Sequence, residues 1–145
     1  MKQIDLGLLF GGKSCEHEVS LLSAAAVLDN LPEGIRPHMI GIDRAGDWFL
    51  YEGEPSRIAS GAWRRDQKRL SPLLPARHGY YLPERGSFHP LSVAFPAMHG
   101  QFCEDGQLQG LLSLMDIPYI GCDTEVSAVC MNKALTKTAL AHHRI

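Results

Sequence analysis

The chain has 145 residues, 45% of them apolar, and a net charge of −2. This length and composition indicate a single ordinary globular domain rather than a disordered segment. Lysine and arginine are spread along the chain without the clustered basic face that nucleic-acid binding needs. No uncharged run approaches the roughly 20 apolar residues of a membrane span, and the N-terminus lacks signal-peptide features. We therefore expect a cytoplasmic chain without a membrane or nucleic-acid partner.

The four cysteines are Cys15, Cys103, Cys122 and Cys130. Their spacings match no zinc-binding pattern, and a cytoplasmic protein keeps its thiols reduced. We expect four free thiols, three of them in or near core positions, where cysteine packs as a small apolar side chain. No metal site is predicted.

The first elements are a strand and a helix joined by glycines. Residues 5–10 form an apolar run that ends at Gly11-Gly12, which is typical of a buried strand opening into a tight turn. A helix is predicted from about Glu16 to the Leu31-Pro32-Glu33-Gly34 stop signal. Its expected apolar face consists of Leu21, Ala25 and Leu28, widened by Val19, Leu22 and Ala26.

The middle of the chain divides into a hairpin and a segment of no clear pattern. Residues 36–51 contain two β-type runs around the turn residues 43–47, which predicts a hairpin. Residues 52–90 are rich in proline and basic side chains. Short helices or strands could form at RIASGAW and GYYLP, and we expect an irregular peripheral insertion.

Regular structure is predicted again from Leu91. The run SVAFPAM indicates a second buried strand, and Leu108, Leu111, Leu112 and Met115 have helical spacing. PYIGC is read as a third short strand. A third helix is predicted from Thr124 to about His143, with Val126, Val129 and Cys130 on one stripe.

A strand, a glycine turn and a helix thus occur three times in succession. This order predicts an α/β fold with a Rossmann-like parallel sheet flanked by helices. Ligands of such sheets bind beyond the carboxyl ends of the strands. The segments GGKSCEHEVS, HGQFCEDG and GCDTEVSAVCMNK are all expected at that edge.

Two glutamates follow the first glycine turn. Glu16 and Glu18 could simply favour the dipole of the helix that they begin. Alternatively, one of them points into the cleft and binds a cationic group of a ligand, since the preceding glycines permit close backbone approach. The residues alone leave both interpretations open.

His99 and Lys133 can each be interpreted in two ways, as a structural residue or as part of a ligand site. His99 ends a buried strand, where a histidine is either structural or part of a ligand site. Lys133 continues the stripe of Val126, Val129 and Cys130, so it either reaches out to water or binds an anion. A GxGxxG fingerprint and a phosphate-binding loop are absent, which disfavours a nicotinamide-dependent oxidoreductase.

The motifs LLFGGKSCEHEVSLLSA, VAFPAMHGQFCEDGQLQGLLSLMDIPYIGCD and SAVCMNKALTK, in this order, resemble the N-terminal part of the D-alanine–D-alanine ligases of the ATP-grasp superfamily. They span most of residues 6–137 apart from the 52–90 region. The resemblance implies a pre-ATP-grasp domain at residues 1–122 for substrate binding. Residues 123–145 would begin the central ATP-grasp region.

This resemblance implies a reaction for peptidoglycan synthesis. ATP, with Mg²⁺, phosphorylates the carboxylate of a first D-alanine, and the amine of a second D-amino acid attacks the acyl phosphate. Glu16 matches the family's glutamate that holds the ammonium of the first D-alanine, so it is both a catalytic and a substrate-binding candidate. His99 matches the histidine near that substrate's carboxylate. Lys133 matches the lysine that contacts ATP phosphates.

The chain departs from the family pattern at three points. Cys103 stands in place of the first glycine of GEDG, and Asn132 replaces the aspartate of MDK. The family also continues beyond the equivalent of residue 145, through lobes that enclose ATP and Mg²⁺. The 145-residue chain alone is therefore expected to be inactive, and its exposed apolar C-terminal stripe would be available for homodimer formation.

Two alternatives stay open at this point. Related ligases that make D-alanyl-D-serine or D-alanyl-D-lactate and confer glycopeptide resistance share these motifs. A non-catalytic remnant that binds an amino acid would also retain them.

Overall fold

The computed structural model describes residues 3–143. The strands are β1 (Ile4–Gly11), β2 (Ile35–Ile42), β3 (Trp48–Tyr51), β4 (Leu70–Pro72), β5 (Leu74–Ala76), β6 (Gly79–Leu82), β7 (Ser87–Pro90) and β8 (Val93–Pro96). The helices are α1 (His17–Asp29), α2 (Ser56–Ala59), α3 (Gln107–Leu114), α4 (Thr124–Met131) and α5 (Lys133–His142). Among these residues, no helix combines the length and the apolar composition that crossing a membrane requires.

The main sheet has five strands in the order β4-β3-β2-β1-β8. β1 pairs in parallel with both β2 and β8, whereas β3 and β4 add antiparallel strands at one edge. The predicted α/β fold with a helix-flanked parallel sheet is thus confirmed for the central strands. The hairpin predicted over residues 36–51 makes the whole sheet mixed.

β1 is the centre of the fold. Its residues Leu8, Leu9 and Phe10 are at most 1% exposed, because the strand has a neighbour on each side and side chains covering both faces. A continuous apolar run is what a strand buried on both faces requires.

α1 buries a narrower face than its sequence predicts. Leu21 and Ala24 are buried, whereas Val19 and Leu22 are 49% and 59% exposed. The predicted widening of the stripe is therefore wrong. The helix packs mainly on β1 and the short helix α2, and a narrow line of contact covers few helix positions.

The prediction of an irregular peripheral insertion at residues 52–90 is wrong, whereas the short helices or strands considered for RIASGAW and GYYLP are confirmed. This segment forms α2, three 3₁₀ turns, the edge strand β4 and a separate antiparallel sheet in the order β5-β6-β7. It also contributes fully or almost fully buried side chains to the core: Ile58, Trp63, Leu73, Tyr80 and Leu82. The insertion is therefore part of the packed domain.

The third βα unit is reduced. α3 forms as predicted and buries Leu108 and Leu112, but the expected strand PYIGC is only an isolated parallel bridge between Tyr119 and Ala94. The predicted third strand is therefore wrong.

Asn132 divides the predicted third helix into α4 and α5. Its backbone lies at φ −94° and ψ 101°, and its side chain accepts hydrogen bonds from the N–H groups of Ala134 and Leu135. This is an N-cap, which begins a new helix. The count that placed Lys133 on the stripe of α4 is therefore wrong, and Val126 and Cys130 on that stripe are exposed.

All four cysteines are free thiols, as predicted, but only Cys103 is buried. The expectation of three core cysteines is therefore wrong. Cys15, Cys122 and Cys130 lie in turns or on α4, where the chain is exposed.

The cysteines should differ sharply in reactivity. Burial raises the pKa of the Cys103 thiol to about 11, and the nearby carboxylates of Asp105 and Glu104 add to the effect. Because the thiolate is the reactive form, iodoacetamide at about pH 8 should modify Cys15, Cys122 and Cys130 and spare Cys103. Mass spectrometry with and without denaturant measures this difference, and rapid labelling of Cys103 in the folded chain would contradict it.

Candidate functional site

The candidate site lies where β1 and β8 end. These strands are parallel neighbours, so their carboxyl ends meet at one edge of the sheet. Ser20 of α1 is fully buried and connects the ends of both strands. Its hydroxyl accepts a hydrogen bond from Gly11 N–H at 2.8 Å and donates one to the Ala97 carbonyl at 2.7 Å. α1 is thereby held against both strand ends.

The turn after β1 depends on glycine. Gly11 has φ +87°, and a Cβ there would lie 2.2 Å from the carbonyl oxygen of Ile42. The next amide, Gly12 N–H, donates to that same carbonyl at 2.7 Å. This close approach to β2 turns the chain towards the start of α1.

Glu16 precedes the first residue of α1 and is exposed. Its backbone N–H donates to the Ser14 hydroxyl at 3.0 Å. A Cβ added to Gly100 would lie 2.9 Å from Glu16 Oε1, so this carboxylate sits directly beside the residue that follows His99. Within residues 3–143, the Glu16 carboxylate has no salt-bridge partner.

His99 is held from the side of α1. Its Nε2 forms a hydrogen bond with Ser23 Oγ at 2.8 Å, and its Nδ1 lies 3.6 Å from Glu104 Oε1. The ring is 31% exposed and lines a cleft of about 310 Å³ that α4 closes through Val126 and Ser127. Glu16 is not among the residues that line this cleft, although its carboxylate lies beside Gly100, the residue that follows His99.

Side-chain hydrogen bonds hold the loop after His99 in place. Glu104 accepts a hydrogen bond from Gly100 N–H at 2.7 Å, and Gln109 donates its side-chain N–H to the Cys103 carbonyl at 2.9 Å. Cys103 is only 2% exposed and lies outside the positive-φ region. A cysteine at this position therefore fits the loop without requiring the backbone freedom of glycine.

Glu18 points away from the strand ends. It forms a salt bridge with Arg44, and that hydrogen bond holds the pKa of the Glu18 carboxyl below its usual value. Both side chains are more than half exposed, so the pair contributes little stability. Of the two glutamates, only Glu16 faces the candidate site.

Lys133 is the first residue of α5 and is exposed. It does not line the cleft that contains His99. The structure thus brings Glu16 and His99 together and leaves Lys133 apart from them. Nothing among residues 3–143 forms a cluster of three or more histidine, cysteine, aspartate or glutamate side chains that could hold a metal ion.

Ser20 and Ser23 are absent from the residues that the sequence singles out. They lie four and seven residues after Glu16, a spacing that places all three on one face of α1. This spacing is the signal that could have identified them.

The arrangement suits a zwitterion. A free carboxylate can bind an ammonium through a charge-assisted hydrogen bond, and an imidazole N–H can donate to a carboxylate. Because Glu16 and His99 flank one glycine at the strand edge, a small amino acid is the ligand class that their chemistry fits.

A family model described as "D-ala D-ala ligase N-terminus" matches residues 5–122. This chain belongs to that family. The resemblance inferred from the ordered motifs is confirmed, and the matched range contains both Glu16 and His99.

Similar proteins include ligases for different second substrates. The D-alanine–D-alanine ligase of Thermoanaerobacter sp. (strain X514) is 40% identical over 147 residues, covering 94% of this chain and 39% of the relative. The vancomycin C-type resistance protein VanC1 of Enterococcus gallinarum is 41% identical over 136 residues, which cover 93% of this chain and 38% of VanC1. The chain spans about two-fifths of the length of the relatives it matches.

Solved structures of the family superpose closely on this fold. The VanG D-Ala:D-Ser ligase from Enterococcus faecalis has a TM-score of 0.94 at 36% identity, covering 99% of this chain and 43% of the other. The D-alanine–D-alanine ligase from Coxiella burnetii has a TM-score of 0.89 at 32% identity, and the match covers 100% of this chain and 42% of that ligase.

Proposed function

We propose that this chain is the N-terminal substrate-binding part of an ATP-dependent, cytoplasmic D-alanine–D-alanine ligase of peptidoglycan synthesis. One observation carries the proposal: the carboxylate of Glu16, which has no salt-bridge partner among residues 3–143, lies beside Gly100, the neighbour of His99. Glu16 holds the ammonium of the first D-alanine, and His99 donates a hydrogen bond to its carboxylate. Fixing the substrate in this way is a large part of what a two-substrate ligation requires.

The proposed division of the chain is residues 1–122 for substrate binding and residues 123–145 for the start of the central ATP-grasp region. Two features support this boundary. The family match ends at residue 122, and α4 begins at Thr124. Exposed apolar side chains follow it on α4 and α5, including Val126, Met131 and Leu135. These apolar side chains could pack against a following segment of a longer chain or against a second copy of this one. A homodimer therefore stays a prediction.

ATP is the proposed energy source, and Lys133 is its candidate phosphate contact. A lysine interacts with phosphate as a point charge on a flexible stem. The exposed position of Lys133 at the start of α5 leaves it free to do so. Mg²⁺ would accompany ATP and would take its ligands mainly from outside residues 3–143.

The second substrate has a specific alternative. VanG is named as a D-Ala:D-Ser ligase and superposes with a TM-score of 0.94. A D-alanine–D-serine ligase is therefore the second candidate function. Both candidates share the first D-alanine and hence the same roles for Glu16 and His99.

The test is a titration of D-alanine against the wild-type chain and Glu16→Gln. The substitution keeps the shape of the side chain and removes its charge. A hydrogen bond to a charged group contributes about 1.5–3 kcal/mol, so D-alanine should bind roughly 10- to 100-fold more weakly. Isothermal titration calorimetry or NMR chemical-shift changes measure the affinity.

Glu18→Gln is the matched control. It removes the same charge two residues away, on a side chain that pairs with Arg44 instead of facing His99. Its D-alanine affinity should equal that of the wild type. Equal loss in both variants would point to a general charge effect, and absence of binding in the wild type would overturn the proposed function.

A further inference from the structure

Ser23 is a polar side chain on α1 whose partner is far away in the sequence. Its hydroxyl forms a 2.8 Å hydrogen bond with Nε2 of His99, across 76 positions of the chain. Serine is a poor choice for stabilising a helix interior, since its hydroxyl competes with backbone hydrogen bonds. Here the hydroxyl is directed to the imidazole at the end of β8.

In the described part of the chain, the opposite nitrogen of the ring has no hydrogen-bond partner. Nδ1 of His99 lies 3.6 Å from Glu104 Oε1, which is longer than a hydrogen bond. The Glu104 carboxylate instead accepts from Gly100 N–H at 2.7 Å. With Nε2 held by Ser23, Nδ1 is the nitrogen left to donate to a ligand.

We propose that Ser23 is a positioning residue, which fixes the ring of His99 so that Nδ1 meets the carboxylate of the bound amino acid. This inference rests on the proposed function, because it needs His99 to contact the ligand. A histidine held in one orientation before binding loses less conformational freedom when the ligand arrives. Ser23 thus acts through His99 without touching the ligand.

The test uses three variants of the 145-residue chain. Ser23→Ala removes the hydroxyl and favours the helix, Ser23→Thr keeps a hydroxyl, and Ser113→Ala is a control on the exposed surface of α3. For each, ¹⁵N NMR of the ligand-free chain records the Nδ1 and Nε2 shifts of His99. A D-alanine titration then gives the affinity.

In Ser23→Ala the His99 ring shifts should change, and D-alanine should bind about fivefold more weakly. Ser23→Thr should restore both measurements towards the wild type, and Ser113→Ala should alter neither. Unchanged ring shifts in Ser23→Ala would overturn the positioning role. Changed ring shifts with full affinity would overturn it as well. Wild-type chain that binds no D-alanine would overturn the proposed function instead, whatever the ring shifts show.

Discussion

Replacing Trp63 by alanine is expected to lower the free energy of unfolding by about 3–5 kcal/mol. Trp63 is 1% exposed and packs edge-to-face on Phe10, with ring centroids 5.1 Å apart. It also covers Gly41 of β2, where a Cβ would lie 2.4 Å from the indole. Truncation removes the largest side chain between the insertion and the central strands and leaves a cavity there. Urea unfolding followed by circular dichroism measures the loss.

Arg65→Ala is the control for this substitution. Arg65 belongs to the same 3₁₀ turn but is exposed, so its truncation should change stability by no more than about 0.5 kcal/mol. A similar small effect for Trp63→Ala would show that the insertion does not share the core. In that case the peripheral insertion expected from the sequence would be the better description.

The difference between the two halves of the fold explains which parts the sequence could predict. β1, α1, β8 and α3 have apolar residues at regular spacing, and glycines mark their ends, so local pattern is enough to place them. The burial of Trp63 depends on Phe10 and Gly41, which lie more than 20 residues earlier. No local pattern in residues 52–90 reports such a contact.

Asn132 shows a different limit. An asparagine within an apolar stretch is compatible with a continuous helix, and also with a cap that begins a new one. The hydrogen bonds of its side chain to Ala134 and Leu135 decide for the cap. The sequence does not contain that information, whereas these hydrogen bonds and the backbone angles of Asn132 do.

The candidate site was predictable in part. Topology places the residues after β1 and β8 at one edge, so Glu16 and His99 could be expected there. The family resemblance selects Glu16, but the residues alone could not decide between Glu16 and Glu18, because that choice depends on Arg44, which pairs with Glu18 from the turn after β2. Ser23 was missed because its partner is 76 positions away.

Gly100→Ala should separate the geometry of this site from the stability of the fold. Gly100 has φ +74°, where an L-residue costs about 1–2 kcal/mol. The new Cβ would also lie 2.4 Å from Ser14 Oγ and 2.9 Å from Glu16 Oε1. Ser14 is buried, and its hydroxyl accepts a hydrogen bond from the backbone N–H of Glu16. Ser14 and Glu16 would therefore have to move together. D-alanine binding should fall at least as far as in Glu16→Gln.

Gly61→Ala is the control that measures the cost to stability of a positive φ alone, without a steric clash. Gly61 has nearly the same conformation, φ +71°, but its Cβ would meet only Leu21 at an ordinary 3.8 Å. Gly100→Ala should lose more stability than Gly61→Ala in urea unfolding, because only its Cβ clashes with Ser14 and Glu16, and only Gly100→Ala should lose affinity for D-alanine. If Gly100→Ala binds D-alanine as tightly as Gly61→Ala does, the contact between Glu16 and the His99-Gly100 turn is not part of the ligand site. The ammonium of the substrate would then have to be held by another carboxylate.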